Sequence, residues 1–112
     1  MRHKIAGKRL GRTRDHRKAL RRNLINELVR HERIKTTEAK ARAIRAETEK
    51  LITIAKRAIA SGDTGRQVHA RRLILARTNN KETVAKVYNE LAPRYEDRPG
   101  GYTRMYKLGM RN

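Results

Sequence analysis

The residue types that usually carry catalysis are sparse in this chain and poorly spaced for it. His3, His16, His31 and His69 are its only imidazoles. No two of them stand four apart, as a helical zinc pair would, and no carboxylate cluster accompanies them. His31-Glu32 is a common dipeptide and reads as an ordinary surface or RNA-facing histidine. Cysteine is absent, which removes both a thiolate zinc site and a disulfide scaffold. The eight Glu and three Asp are mostly spread among basic neighbours, and no pair stands out as a general acid and base. Ser61 is the one serine and sits in a Gly-Asp-Thr-Gly break. Gly100-Gly101 is not a phosphate loop, because neither Gly-Lys-Ser nor Gly-Lys-Thr follows. The expectation is a protein that is not an enzyme, with no metal, no cofactor and no small-molecule substrate.

What the chain does have is positive charge. Thirty Lys and Arg against eleven Asp and Glu give +19 over 112 residues. A small domain has little core to offset that self-repulsion, so the composition makes sense if a polyanion supplies the counter-charge. Nucleic acid is the abundant candidate, and an anionic membrane surface is the weaker one. Arg outnumbers Lys by 20 to 10. Arg offers phosphate a planar fork and bases a flat face, where Lys offers a point charge. GC-rich coding also produces that bias. No apolar run approaches the ~18–20 residues of a membrane span. Met1-Arg2-His3-Lys4 is not followed by an apolar segment of a secretory signal, so the expected address is cytoplasmic.

The charge is concentrated. Residues 1–22 hold ten basic residues and one acidic, whereas residues 81–97 hold three basic and four acidic. Residues 1–14 read as a basic extended arm, with Gly7 and Gly11, little to bury and no helical period. Arg2, His3, Lys4, Lys8, Arg9, Arg12 and Arg14, continued by Arg17, Arg21 and Arg22, form a cationic string. It reads either as a solvated tail or, as favoured here, as an extension that threads between nucleic-acid helices and neutralises phosphates. Such an arm is expected to be disordered in the free protein. Arg22, Asn26, Arg30 and Arg33 fall on one side of the first helix with no acid among them, which points to RNA contact. Arg71-Arg72 is an open choice between surface and interface. Tyr102, Arg104 and Tyr106 share a strand face that would stack on bases, or would belong to the core with Leu108 and Met110, the reading favoured for Tyr106.

These residues need elements to position them. Thr13 or Asp15 caps a first helix running to about Glu32, with Leu20, Leu24, Ile25, Leu28 and Val29 inward. Ile34-Lys35-Thr36-Thr37 alternates and is β-branched, so it reads as a strand. Thr37 caps a second helix from about Glu38 to Ala60, buried along Ile44, Leu51, Ile52, Ala55 and Ile59. Its Glu38–Arg42 and Arg45–Glu49 pairs lie on the solvent side. Helices follow over about 66–77 and 81–92; Asn79 and Asn80 end the first of these and are candidate caps for the next, which carries Val84, Val87, Tyr88 and Leu91 on one face and is stopped by Pro93. From Tyr102 to Met110 a period of two predicts a final strand, paired with residues 34–37. The expected fold is α+β: a two-layer α/β domain over residues 15–112, in the order helix, strand, three helices, strand.

Four stretches together resemble one family. They are Met1-Arg2-His3 with Gly7, Leu10 and Arg12; Leu28-Val29-Arg30-His31-Glu32 running into Ile34-Lys35-Thr36-Thr37, then Lys40-Ala41 and Arg45; Arg71-Arg72-Leu73; and Asn89-Glu90-Leu91, Pro93-Arg94-Tyr95, Arg98 and Gly100-Gly101-Tyr102-Thr103-Arg104. In this order they resemble large-subunit ribosomal protein seventeen of bacteria, the L-seventeen family. Gly11 stands where the family usually has Asn, and Ala39 where Pro is frequent. Residues 60–67 are longer than in many members, which commonly continue past the position of Asn112 with a turn and a final strand. The resemblance implies a structural component of the large ribosomal subunit with a two-layer α/β fold. Its implied partners are large-subunit ribosomal RNA near the nascent-chain exit and neighbouring ribosomal proteins.

The resulting RNA-binding set is Arg2, His3, Lys4, Lys8, Arg9, Arg12, Arg14, Arg17, Arg21, Arg22, Arg30, Arg33, Arg71, Arg72, Arg98, Tyr102 and Arg104. The alternative is a free-standing basic DNA- or RNA-binding regulator, which would need a helix-turn-helix with a short turn. A cationic membrane-surface peptide would need a helix with aromatic anchors, which is lacking.

Overall fold

The computed structural model describes residues 13–109. Helix α1 runs Arg14–His31, α2 Glu38–Ser61 and α3 Thr64–Thr78. Helix α4 starts at Lys81–Lys86, passes through a π-helical turn at Val87–Leu91 and ends in a last α-helical turn at Ala92–Arg94. Each of the four starts is capped from its own sequence. Thr13 Oγ1 accepts from the His16 amide, Thr37 Oγ1 from Lys40, Asp63 from Gly65, and Asn80 Oδ1 from both Glu82 and Thr83. These oxygens satisfy amides that the helix itself leaves open.

Three helices stop in the left-handed region, at Glu32 (φ 61°), Gly62 (φ 67°) and Asn79 (φ 51°). Only at Gly62 is that conformation free of a Cβ penalty. The link from α1 to α2 spans residues 32–37, and α2 meets α3 across Gly62 and Asp63 alone. The Arg21–Glu47 ion pair, at 3.4 Å, ties the middles of α1 and α2 as an antiparallel pair requires.

The core lies between the four helices. Ile25 and Val29 come from α1, Ile44, Leu51, Ile52 and Ala55 from α2, Ile74 from α3, and Val87, Tyr88, Leu91 and Ala92 from the last helix. Each fully buried Ile or Leu contributes about 1.5–3 kcal/mol relative to exposure, and Ile44, Leu51, Ile74 and Val87 are the most completely enclosed of the large apolar side chains. The expected α2 stripe is present except for Ile59, which is exposed.

The expected α+β fold is not what forms. Among the described residues there is no strand, and residues 34–37 and 102–109 form no ladder with each other. The period of two reported a non-helical backbone correctly, but a strand also needs a partner edge. Residues 34–37 are used otherwise: Ile34 packs against the core and Thr37 caps α2. The tail lies beside α2, whose side chains take its backbone groups. Glu49 Oε1 accepts the Tyr102 amide at 2.8 Å, Arg45 Nη2 donates to the Thr103 carbonyl at 3.3 Å, and Lys107 meets Glu38 at 3.5 Å. The tail therefore runs antiparallel to α2. At ~3.3 Å per extended residue, its five steps match the roughly 16 Å that α2 covers between Glu49 and Glu38.

Pro93 does not end the last helix; it sits inside the final turn. A proline ring meets the carbonyl four residues back, here that of Asn89. Asn89 lies within the π-helical turn, where the Ala92 amide bonds back to the Val87 carbonyl and the wider coil makes room for the ring. That turn also carries Val87, Tyr88 and Leu91 into the core together.

Candidate nucleic-acid interface

The first eight residues of the expected RNA-binding set need a division. Arg2, His3, Lys4, Lys8, Arg9 and Arg12 lie outside the described residues. Arg14, assigned to the arm, is the first residue of α1, and Arg17 lies one turn further on.

The basic residues within the described part fall into two groups. The first is engaged inside the fold. Arg21 pairs with Glu47. Arg22 Nη2 donates to the Ala76 carbonyl at 3.0 Å, near the end of α3, where helix carbonyls lack partners. Asn26, grouped with Arg22 by the helical period, is also turned inward. Its Nδ2 donates to the Thr78 carbonyl at 3.1 Å, and its Oδ1 accepts the Thr83 hydroxyl at 2.7 Å. The basic side of α1 is thus split: Arg22 and Asn26 clasp α3 and α4, while Arg30 and Arg33 are exposed.

Tyr102 belongs to the engaged group. Its hydroxyl accepts from Lys56 Nζ at 2.8 Å and donates to the Arg98 carbonyl at 3.2 Å. Its ring stands 5.4 Å from that of Tyr95 and 4.9 Å from Lys56 Nζ. Lys56 also donates to the Arg98 carbonyl. Tyr102 is therefore the anchor that fixes the start of the tail. Tyr102 packs against the core, whereas Tyr106 and Leu108 remain outside, 68% and 73% exposed, so the core place expected for Tyr106 is not taken. Arg104 Nη1 donates to the Tyr106 hydroxyl at 3.0 Å, and this bond holds the guanidinium charged more firmly than usual.

The second group is free to meet a polyanion. Among the described residues, the side chains of Arg14, Arg17, Arg33, Arg72 and Arg77 make no hydrogen bond or ion pair. Arg71 makes one contact, its guanidinium lying 4.2 Å from the centroid of the Tyr88 ring. Arg71 and Arg72 are both exposed on α3. Local spacing gave no hint of the Arg71–Tyr88 stack, because the two residues belong to different helices brought together only by the fold.

Several of the acids, meanwhile, are engaged within the chain, as Glu47 is by Arg21. Glu27 pairs with His31 at 3.1 Å, Glu38 with Arg42 at 2.6 Å, Glu49 with Arg45 at 3.8 Å and Asp63 with Arg66 at 3.9 Å. Glu32 accepts from Arg94 and pairs with Lys86 at 3.3 Å. The Arg94 and then the Lys86 hydrogen bonds hold the Glu32 carboxyl below its ordinary range, and Glu32 in turn raises Arg94. Asp15, Glu82, Glu90, Glu96 and Asp97 make no ion pair among the described residues, and they are outnumbered by exposed Lys and Arg that likewise make none, so the chain presents a surplus of unpaired positive charge to its surroundings. That arrangement suits binding to phosphate, and among the described residues no group of three or more His, Asp or Glu is placed to hold a metal ion. No helix among those residues is long and apolar enough to cross a membrane.

A family model described as ribosomal protein L17 matches residues 20–112. The large ribosomal subunit protein bL17 of Trichlorobacter lovleyi is 50% identical over 111 residues, covering 99% of this chain and 83% of that relative. The bL17 protein of Syntrophus aciditrophicus is 49% identical over 111 residues, covering 99% and 82%. On matches that run through nearly the whole sequence, the chain belongs to the ribosomal protein L17 family.

Proposed function

We infer that this chain works as a structural constituent of the large ribosomal subunit, binding and stabilising large-subunit ribosomal RNA beside neighbouring ribosomal proteins. It is a non-catalytic protein of the cytoplasmic ribosome. Its family carries this reading, and its electrostatics agree with it: acids such as Glu38 and Asp63 are paired within the fold, while many exposed arginines are left without partners.

The residues before α1 act as a basic arm on a single helical domain, continued by Arg14 and Arg17 on α1 itself. In this reading Arg2, His3, Lys4, Lys8, Arg9, Arg12, Arg14 and Arg17 neutralise phosphates along a path between RNA helices. Arg30 and Arg33 at the end of α1, Arg71 and Arg72 on α3, and Arg98 and Arg104 around the tail add contacts from the domain. Arg21, Arg22 and Tyr102 support this surface through bonds inside the protein.

The test is sedimentation of the full chain with large subunits through increasing salt. A loose polycation with 6–10 phosphate contacts loses about 10³–10⁵ in affinity between 50 and 200 mM salt. An integrated constituent stays with the large subunit through that range and does not transfer to small subunits. Release at moderate salt, or equal partition onto both subunits, would reject the proposal.

A further inference from the structure

Between α3 and α4 lies an open cleft of about 320 Å³ that the function above leaves unassigned. Ligand sites typically start at roughly 300 Å³, so this one is of a size for a single small group and far too small for a duplex. Its chemistry is mixed in an ordered way. Leu75 and Val84 line it as apolar walls, and Tyr88 lines it with an aromatic ring. Arg71, Arg72 and Lys81 bring three positive charges, and none of the lining residues is acidic.

The Arg71 guanidinium lies over the Tyr88 ring, 4.2 Å from its centroid. A guanidinium covered by a ring on one side can turn its other flat face outward, and unstacked bases are commonly taken on such planes. The Tyr88 residue is 93% buried, and its hydroxyl has no hydrogen-bond partner among the described residues. Asn89, beside it in the lining, has a side-chain amide with both a donor and an acceptor, and no bond within the described residues occupies them. The side chains of Arg72 and Lys81 likewise have no hydrogen bond or ion pair there.

We propose that this cleft receives one unpaired nucleotide of the ribosomal RNA, its base stacked on Arg71 over Tyr88 and its phosphate met by Arg72 and Lys81. The proposal rests on the RNA-binding reading and deepens it, because it names the chemistry of one contact. Stacking needs a splayed base, hydrogen bonding by Asn89 needs a base edge, and the charge needs a phosphate. A single nucleotide in a loop or bulge supplies all three. An apolar side chain of a neighbouring protein would fill the walls but would leave Arg72 and Lys81 without a counter-charge.

The experiment is base-by-base chemical probing of large-subunit ribosomal RNA saturated with the full chain, wild type or variant. Arg71→Lys keeps the charge and removes the flat face, and Asn89→Ala removes the edge contact without touching the core. Helix content by circular dichroism confirms that each variant is folded. With the wild type, one unpaired base is protected. With Arg71→Lys its reactivity rises at least fivefold while the rest of the footprint stays, and Asn89→Ala gives a smaller rise at the same base. Identical footprints for all three proteins would overturn the proposal and leave the RNA-binding function intact. A uniform weakening across the footprint would overturn it too, since the arginine would then act at no particular base. Absence of any wild-type footprint would instead reject the RNA-binding reading itself, and this contact with it.

Discussion

The side chain of Asn26 bridges three helices: its Nδ2 donates to the Thr78 carbonyl at 3.1 Å and its Oδ1 accepts from Thr83 Oγ1 at 2.7 Å. Thr78 and Thr83 are both buried, so neither lost bond would be fully replaced by water. An unsatisfied buried polar group costs about 1–3 kcal/mol. Asn26→Ala is therefore expected to lower stability by about that amount, a fall in Tm of several degrees for a domain of this size. Denaturant unfolding is the measurement, and affinity for RNA per folded molecule should be unchanged. An unchanged midpoint together with weakened RNA binding would mean that Asn26 faces RNA after all.

The same residue marks where sequence reading stops. Helix positions, their caps at Thr37 and Asn80 and the i,i+4 pairs at Glu38–Arg42 and Arg45–Glu49 were legible, because they depend on neighbours within a turn or so. The partition of a polar helix face was not. Arg22 and Asn26 look like Arg30 and Arg33 until α3 is placed against them. The tail failed for a related reason. Alternation specifies an extended chain but not its neighbour, and here the neighbour is helix α2 with Glu49 and Arg45 as bonding groups. At the cleft, Tyr88 was legible as core and Arg71 only as basic. Their stacking spans two helices, beyond the reach of any local period.

Glu32 gives a pH dependence with a definite sign. Hydrogen bonds from Arg94 and Lys86 hold its carboxyl below the ordinary value of about 4.5. A depressed carboxylate contributes stability that is fully present above the unfolded value and disappears as pH falls through the folded one. The Tm difference between wild type and Glu32→Gln should accordingly be constant near neutrality and shrink towards zero under acid conditions. Glu32 and Arg94 are substantially exposed, so salt should reduce the difference as well. A difference that grew on acidification would contradict this assignment.

Gly62 ends α2 at φ 67°, and a Cβ placed there would touch nothing within 4 Å. The whole cost of Gly62→Ala is thus the left-handed backbone, about 1–2 kcal/mol. Gly100 is an internal control: its surroundings are equally open and its φ is not in that region. Gly100→Ala should be neutral or slightly stabilising through the unfolded chain. Thermal melts of the two variants check this, and equal losses would show that the backbone of Gly62 is not the cause.

Tyr102 should govern the order of the tail. Its ring, hydroxyl and amide are held by Tyr95, Lys56 and Glu49, whereas Tyr106 and Leu108 beyond it are exposed. Tyr102→Ala removes the ring and hydroxyl contacts together. Amide exchange at residues 102–104 should rise about tenfold or more, in keeping with loss of ~1.4 kcal/mol or more of local stability, while the core of α2 keeps its protection. Unaltered exchange at 102–104 would transfer the anchoring role to Arg45 and Thr103.

The last prediction separates docking from charge attraction at the arm. Changing Arg2, Arg9, Arg12 and Arg14 to Lys leaves the net charge at +19. Counterion release depends on the number of phosphates neutralised, so a polycation would keep both its affinity and its salt slope. An arm that threads folded RNA holds each guanidinium in one geometry, forked on phosphate or flat on a base, and an ammonium reproduces neither. Hydrogen bonds to charged groups contribute about 1.5–3 kcal/mol each, so losing even one such contact weakens binding by roughly one to two orders of magnitude. Binding to an arbitrary RNA duplex should stay nearly constant, so the ratio of the two affinities falls. Competition binding on large-subunit ribosomal RNA and on the duplex, at two salt concentrations, gives that ratio directly. If the ratio is unchanged, the arm contributes charge alone, and the specificity must reside in the helical domain.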